Sequence, residues 1–159
     1  MKTCLVGCGG IAAVHGSVLT SGIDTEFVAA ADIKPEKAQT YAENFHTKPY
    51  PSLESMLEAE KPDVLHICTP HYLHVPMAIY SLERNINVFM EKPPAISFDQ
   101  LEELKKAAAK SEAQLGFCYQ NRYNASIRAA KDLIDSEKAM VRFLNLIMSE
   151  PDIARIPVM

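Results

Sequence analysis

Cys4-Leu5-Val6-Gly7-Cys8-Gly9-Gly10-Ile11-Ala12 is the stretch that decides the fold. A short apolar run passes straight into glycines and then into a helix-period segment. The spacing is Gly-x-Gly-x-x-Ala, and each small residue answers a geometric demand. Gly7 permits a tight turn. Gly9 has no Cβ, so the backbone can come close to a pair of phosphates. Ala12 lets the following helix pack closely on the strand. A helix that opens at Gly10 and Ile11 offers free N–H groups and partial positive charge to those phosphates.

Twenty residues beyond Ala12, at the end of the second apolar run, stands Asp32. Its carboxylate is placed to accept hydrogen bonds from an adenosine ribose, so the pair of features reads as a dinucleotide site. A carboxylate there repels a 2′-phosphate, which favours NAD over NADP; Lys34, two residues on, partly offsets this. Two other origins for the glycines are open at this point. One is an ordinary turn with an unrelated surface aspartate. The other is an S-adenosylmethionine turn, but such turns usually follow an acidic residue on the first strand, where this chain has Leu5 and Val6.

Outward from this turn, short apolar runs alternate with amphipathic segments. The runs are Cys4 to Val6, Phe27 to Ala31, Val64 to Cys68, Val88 to Met90 and Leu115 to Cys118. They are continuous rather than alternating, as parallel strands buried on both faces are. Between them, Ala38, Tyr41, Ala42 and Phe45 form a helical stripe behind Pro35. Leu53, Met56 and Leu57 follow Ser52, an N-cap. Val75, Ala78, Ile79 and Leu82 repeat the stripe. Leu101, Leu104 and Ala108 follow the capping box Ser97-Phe98-Asp99-Gln100. Ile127, Ala130 and Ile134 mark a last helix opening near Asn124. The alternation predicts an α/β fold: a doubly wound parallel sheet, the Rossmann fold, with helices on both faces.

The 159 residues, 48% apolar and 23% charged, suit one globular domain or slightly more. The net charge of −4 argues against nucleic acid or an anionic membrane surface as the main partner. Cys4, Cys8, Cys68 and Cys118 form no Cys-x-x-Cys pair, and three of them sit in apolar runs, so reduced, buried thiols and no metal site are expected. No apolar stretch approaches a membrane span. Leu5-Val6-Gly7-Cys8 has the form of a lipoprotein cleavage box, but too few residues precede it for a signal peptide, and a cytoplasmic location is expected.

Polar clusters follow three strands, at the end of the sheet where ligands bind in such folds. They are Thr69-Pro70-His71-Tyr72-Leu73-His74, Glu91-Lys92-Pro93 and Gln120-Asn121-Arg122-Tyr123. A lysine fixed beside a carboxylate can polarise a substrate oxygen and manage its proton. Without context, Lys92 would be a solvated loop lysine. His66, inside an apolar run, reads as a satisfied core histidine, and His15 and His46 carry no signal.

Together these motifs resemble the glucose–fructose oxidoreductase / inositol dehydrogenase family (Gfo/Idh/MocA), over about residues 1 to 136. The glycine turn, Thr69-Pro70-x-x-x-His74, Glu91-Lys92-Pro93 and Asn121-Arg122-Tyr123 occur in the family's order, with His71 where asparagine is usual. The resemblance implies an oxidoreductase that moves hydride between a nicotinamide and a hydroxyl/carbonyl of a sugar, inositol or similar polyol. It implies Lys92 as the catalytic residue. It places Thr69, Pro70, His74, Glu91 and Lys92 itself in the cofactor groove with Gly7, Gly9, Gly10, Ile11, Ala12 and Asp32. Asn121 and Arg122 would lie on the substrate side.

The family's second α/β domain, with its Asp-x-x-x-His pair, has no counterpart after Ser136. Residues 1–123 are therefore expected to form the cofactor domain. Residues 124–159 would be a helix and an atypical tail, with Ala139 to Met148 as a remnant strand of a substrate domain that is largely missing. Homo-oligomerisation is expected. Two alternatives stand beside the enzymatic reading: a dinucleotide-binding or self-associating module, with Phe143, Leu144, Leu146 and Ile147 exposed, and an inactive truncated product.

Overall fold

The computed structural model describes residues 1–21 and 24–137. The chain divides into two compact units, Met1–Tyr119 and Gln120–Met159. In the first, strands β1 (Lys2–Val6), β2 (Glu26–Ala31), β3 (Lys48–Tyr50), β4 (Val64–Ile67), β5 (Asn87–Met90) and β6 (Leu115–Phe117) alternate with helices. These are α1 (Gly10–Leu19), α2 (Pro35–Phe45), α3 (Leu53–Glu60), α4 (His74–Leu82) and α5 (Phe98–Lys110). The strands form one parallel sheet in the order β3-β2-β1-β4-β5-β6. The order reverses between β1 and β4, and a crevice opens there beyond the strands' carboxyl ends.

Strand β3 is an addition to the sequence reading. Lys48-Pro49-Tyr50 is short and polar and contains a proline, so it carries no strand pattern. It pairs only with β2, at the sheet edge, where a missing N–H is tolerated.

Each face of the sheet has its own core. Cys4, Val6, Ala29, Ala31, Leu65, Ile67, Val88 and Met90 pack with residues of α3, α4 and α5. Leu5, Ala30 and Cys68 pack with Ala12 and Tyr41, under α1 and α2. The alternation of Cys4, Leu5 and Val6 between the two clusters is the two-residue period of a strand buried on both sides. Full burial of a residue such as Leu65 is worth roughly 1.5–3 kcal/mol.

The caps read from sequence form as expected. Ser52 Oγ accepts the N–H of Ser55 at 3.2 Å, and Ser97 Oγ accepts that of Gln100 at 3.2 Å. The Gln100 side chain reaches back one residue further than a capping box requires, to the N–H of Ile96.

In the second unit, a 3-10 turn at Gln120–Tyr123 leads into α6 (Ala125–Glu137). Asn124 Oδ1 accepts the N–H of Ser126 at 2.9 Å, which fixes the helix start. The expected strand at 139–148 and the exposed apolar residues 143–147 lie outside the described residues.

Candidate functional site

The glycine turn sits at the mouth of the crevice. Gly7 has φ +92°, and a Cβ there would stand 2.8 Å from the Cys68 carbonyl and from Thr69 Cγ2. The glycine is thus required both by backbone conformation and by the strand β4 exit packed against it. Its N–H donates to Ala31 O at 2.8 Å, which ties the turn to the end of β2. Around Gly9 and Gly10 the opposite holds: a Cβ on either would meet no atom within 4 Å. Gly9 is the N-cap of α1 and brings no side chain to the first N–H groups of that helix.

Asp32 follows the end of β2. Its Oδ2 accepts the N–H of Cys8 at 2.9 Å and its Oδ1 that of Lys34 at 2.9 Å. The carboxylate is fixed by the glycine turn on one side and by its own strand exit on the other. An ionised carboxylate has about four acceptor sites, so roughly two remain for a ligand. Val6, Gly7, Gly9, Gly10, Ile11, Asp32, Lys34, Lys37, Cys68, Thr69, Pro70 and Tyr72 border one groove of about 340 Å³. In its wall the Thr69 hydroxyl oxygen is buried and meets no hydrogen-bond partner among the described residues. Open space over two glycines, an orphaned hydroxyl and a half-used carboxylate fit a dinucleotide's phosphates and ribose.

Three residues expected in the groove, Ala12, His74 and Glu91, are buried and do not border it. Ala12 is fully buried between α1 and the sheet. His74 is also fully buried: its Nδ1 faces Pro93 O at 2.8 Å and its Nε2 faces Thr69 O at 3.0 Å. It braces the Thr69-Pro70 loop against the Lys92-Pro93 loop. Its burial was readable, because His74 stands four residues before Ala78 and eight before Leu82 on the buried face of α4; its two carbonyl partners were not.

Glu91 and Lys92 follow β5, and the Lys92–Pro93 peptide is cis. The Lys92 side chain is half exposed, with Nζ 4.0 Å from Glu91 Oε2. Glu91 itself is buried. Its Oε2 accepts the N–H of Lys92 at 3.2 Å, and its Oε1 lies 3.1 Å from His15 Nε2. Burial pushes the Glu91 carboxyl up, but hydrogen bonds from His15, Cys118 and the Lys92 N–H outweigh it and hold it below the usual carboxylate range.

His15, which sequence reasoning passed over, is buried on α1 with Ala12, Gly16 and Leu19. That spacing of i, i+3, i+4, i+7 was a readable sign of burial. Its Nδ1 lies 3.0 Å from Nδ1 of His66. His66 stands against Phe89, centroids 5.1 Å apart, and burial followed by the neighbouring His15 pushes its pKa down to about 4.

Burial pushes the Cys8 and Cys4 thiols up to about 12 and Cys68 higher still, so these three stay protonated at neutral pH. Asn121 and Arg122 lie on the 3-10 turn of the second unit, Arg122 over the ring of Tyr123 at 5.8 Å.

Residues 1–119 match the model of an oxidoreductase family with an NAD-binding Rossmann fold. The chain is 31% identical over 125 residues to D-glucoside 3-dehydrogenase of Escherichia coli K12, covering 77% of this chain and 36% of that protein. It is 27% identical over 140 residues to an inositol 2-dehydrogenase/D-chiro-inositol 3-dehydrogenase of Lacticaseibacillus casei, covering 86% and 40%. Among solved structures, the WlbA dehydrogenase of Bordetella pertussis in complex with NADH and UDP-GlcNAcA superimposes with a TM-score of 0.82 at 31% identity. That match covers 85% of this chain and 42% of the other. The chain thus spans about two fifths of the length of these proteins. With the glycine turn, Asp32 and the Glu91-Lys92 loop in place on the sheet these relatives share, the chain belongs to the Gfo/Idh/MocA oxidoreductase family and carries its NAD-binding Rossmann domain.

Proposed function

We propose that the groove binds NAD and that the chain supplies the cofactor half of a dehydrogenase acting on a sugar, inositol or similar polyol. The observation that carries this is the shape at the mouth of α1: uncapped N–H groups beneath two glycines with open space, facing a pinned Asp32. Gly9, Gly10 and Ile11 would hold the pyrophosphate, Asp32 the adenosine ribose, and Thr69 and Pro70 the nicotinamide side. When bound, the nicotinamide supplies the hydride acceptor or donor. Lys92 would hold the substrate oxygen and move its proton, and Asn121 and Arg122 would lie on the substrate side. Ala12 and His74 would serve by packing and bracing.

Asp32 supports NAD over NADP, because a carboxylate that holds the adenosine ribose would repel a 2′-phosphate. Lys34 and Lys37 at the same groove reduce that preference without reversing it. Self-association belongs to the same proposal and is supported by Val14 and Val18, 58% and 52% exposed on α1. A cytoplasmic location is proposed with it. Among the described residues no helix is long and apolar enough to cross a membrane.

Calorimetric titration tests the binding. NAD is expected to bind one site per chain, and NADP about tenfold more weakly, a difference of roughly 1.4 kcal/mol. Equal or tighter binding of NADP would reverse the assignment of Asp32.

A further inference from the structure

Glu91 is buried, yet it is kept ionised, and its contacts come from three separate places in the chain. His15 reaches it from α1, the Lys92 N–H from the adjoining loop, and Cys118 from the end of β6. A ring nitrogen of His15, a carboxylate oxygen of Glu91 and Cys118 Sγ all lie within 4.8 Å of one another. An ionised carboxylate is an acceptor only, so at the 3.1 Å contact His15 Nε2 must donate. The other ring nitrogen faces His66 Nδ1 at 3.0 Å, which fixes the ring from its far side. His15 therefore spans from His66 in the middle of the sheet to the carboxylate at its end. It also lies four residues beyond Ile11, on the helix whose first turn forms the glycine site.

We propose that His15 is a positioning residue: by donating from Nε2 to Glu91 it fixes the carboxylate that holds Lys92, and so joins the helix of the phosphate turn to the loop of the candidate catalytic lysine. The significance for hydride transfer rests on the role given to Lys92 above; the coupling itself does not. The charged and titratable groups around Glu91 are His15, His66 behind it, Cys118, Cys68 and Lys92. Of these, His15 is the buried donor set against the carboxylate on the side away from Lys92. Without it, a carboxylate 4% exposed loses the hydrogen bond that most directly opposes desolvation. It would then take up a proton more readily and release the Lys92 backbone.

Two near-isosteric substitutions separate positioning from simple packing. In His15→Gln the amide nitrogen takes the place of Nε2 and keeps the donor to Glu91. In His15→Asn the shorter amide reaches only the place of Nδ1, where its oxygen can accept from His66, and Glu91 is left without that donor. The measurements are NMR titration of the Glu91 carboxyl carbon and hydrogen exchange at the Lys92 amide, both without dinucleotide. The expected result is a Glu91 midpoint that rises above the ordinary carboxylate range in His15→Asn, with Lys92 exchange faster by about tenfold, the scale of one hydrogen bond. His15→Gln is expected to restore both.

Equal behaviour of the two variants, whether both silent or both perturbed, would overturn the proposal. Where a variant fails to fold, the ring-nitrogen spectrum of the unaltered chain decides. Nε2 of His15 carrying the proton and coupled to Glu91 supports the proposal, and a bare Nε2 overturns it. Separately, failure of NAD to bind while these results hold would remove the cofactor reading and leave the coupling intact.

Discussion

Asp32 is held by two backbone N–H groups, those of Cys8 and Lys34, which would pre-order the carboxylate for the ribose of the proposed NAD. Asp32→Asn keeps the size but loses the charge, and one amide nitrogen would face a backbone donor. NAD affinity is expected to fall by roughly tenfold or more, as for loss of a charged hydrogen bond, while NADP affinity falls less. A calorimetric comparison of both cofactors on both chains measures this, and an equal loss for the two would contradict the selectivity argument.

The placement of Gly7, Gly9 and Asp32 around one groove was legible in the sequence because it depends on local spacing. The partner of His15 was not, since Glu91 lies 76 residues away and only the adjacency of β1, β4 and β5 brings them together. The bracing role of His74 was not legible, because its two carbonyl partners come from loops after different strands.

Helix α1 meets α2 at a distance that only glycine allows. A Cβ on Gly16 would lie 2.6 Å from the Tyr41 hydroxyl and 2.7 Å from the Phe45 ring. Tyr41 in turn donates to Ala12 O at 2.8 Å. Gly16→Ala gains helix propensity but forces two aromatic rings away, and a net loss of about 1–3 kcal/mol is expected in urea unfolding. No loss would show that the two rings yield freely. At the start of α5, Ser97→Ala removes the acceptor for the Gln100 N–H and is expected to cost about 1 kcal/mol in the same measurement. The helices were readable from periodicity and caps, down to Ser52 and Ser97. Strand β3 was not, because three residues around a proline carry no pattern, and only pairing with β2 makes them a strand.

Across the molecule, the buried carboxylates of Glu60 and Glu91 and the partly buried His66 make stability depend on pH. Hydrogen bonds from Tyr50, Lys48 and Lys2 outweigh burial and lower the Glu60 pKa to about 2. A lowered carboxylate binds fewer protons folded than unfolded, so its contribution is complete above its ordinary 4.5 and fades as pH falls toward 2. His66, pushed to about 4 from 6.5, also binds its proton more readily unfolded. Stability therefore declines as pH falls from 6.5, first through His66 and then, below 4.5, through Glu60 together with Glu91, which is also lowered. Thermal melting across this range checks the order of the two phases. Glu60→Gln is expected to remove part of the lower phase and to lower stability at neutral pH.

The doubly wound order was legible from the alternation of apolar runs and amphipathic segments, and family membership from four short motifs in order. At this scale the chain spans about two fifths of its relatives. A cofactor groove alone leaves the nicotinamide face open to water and the substrate unheld. The purified chain is expected to bind NAD and to produce little or no NADH from sugars or inositols. Steady turnover would contradict this.

The most direct test is a crystal structure of the chain grown with excess NAD. The account predicts the pyrophosphate on the N–H groups of Gly9, Gly10 and Ile11, with Asp32 on the adenosine ribose. An empty groove, or phosphates bound elsewhere on the chain, would contradict it.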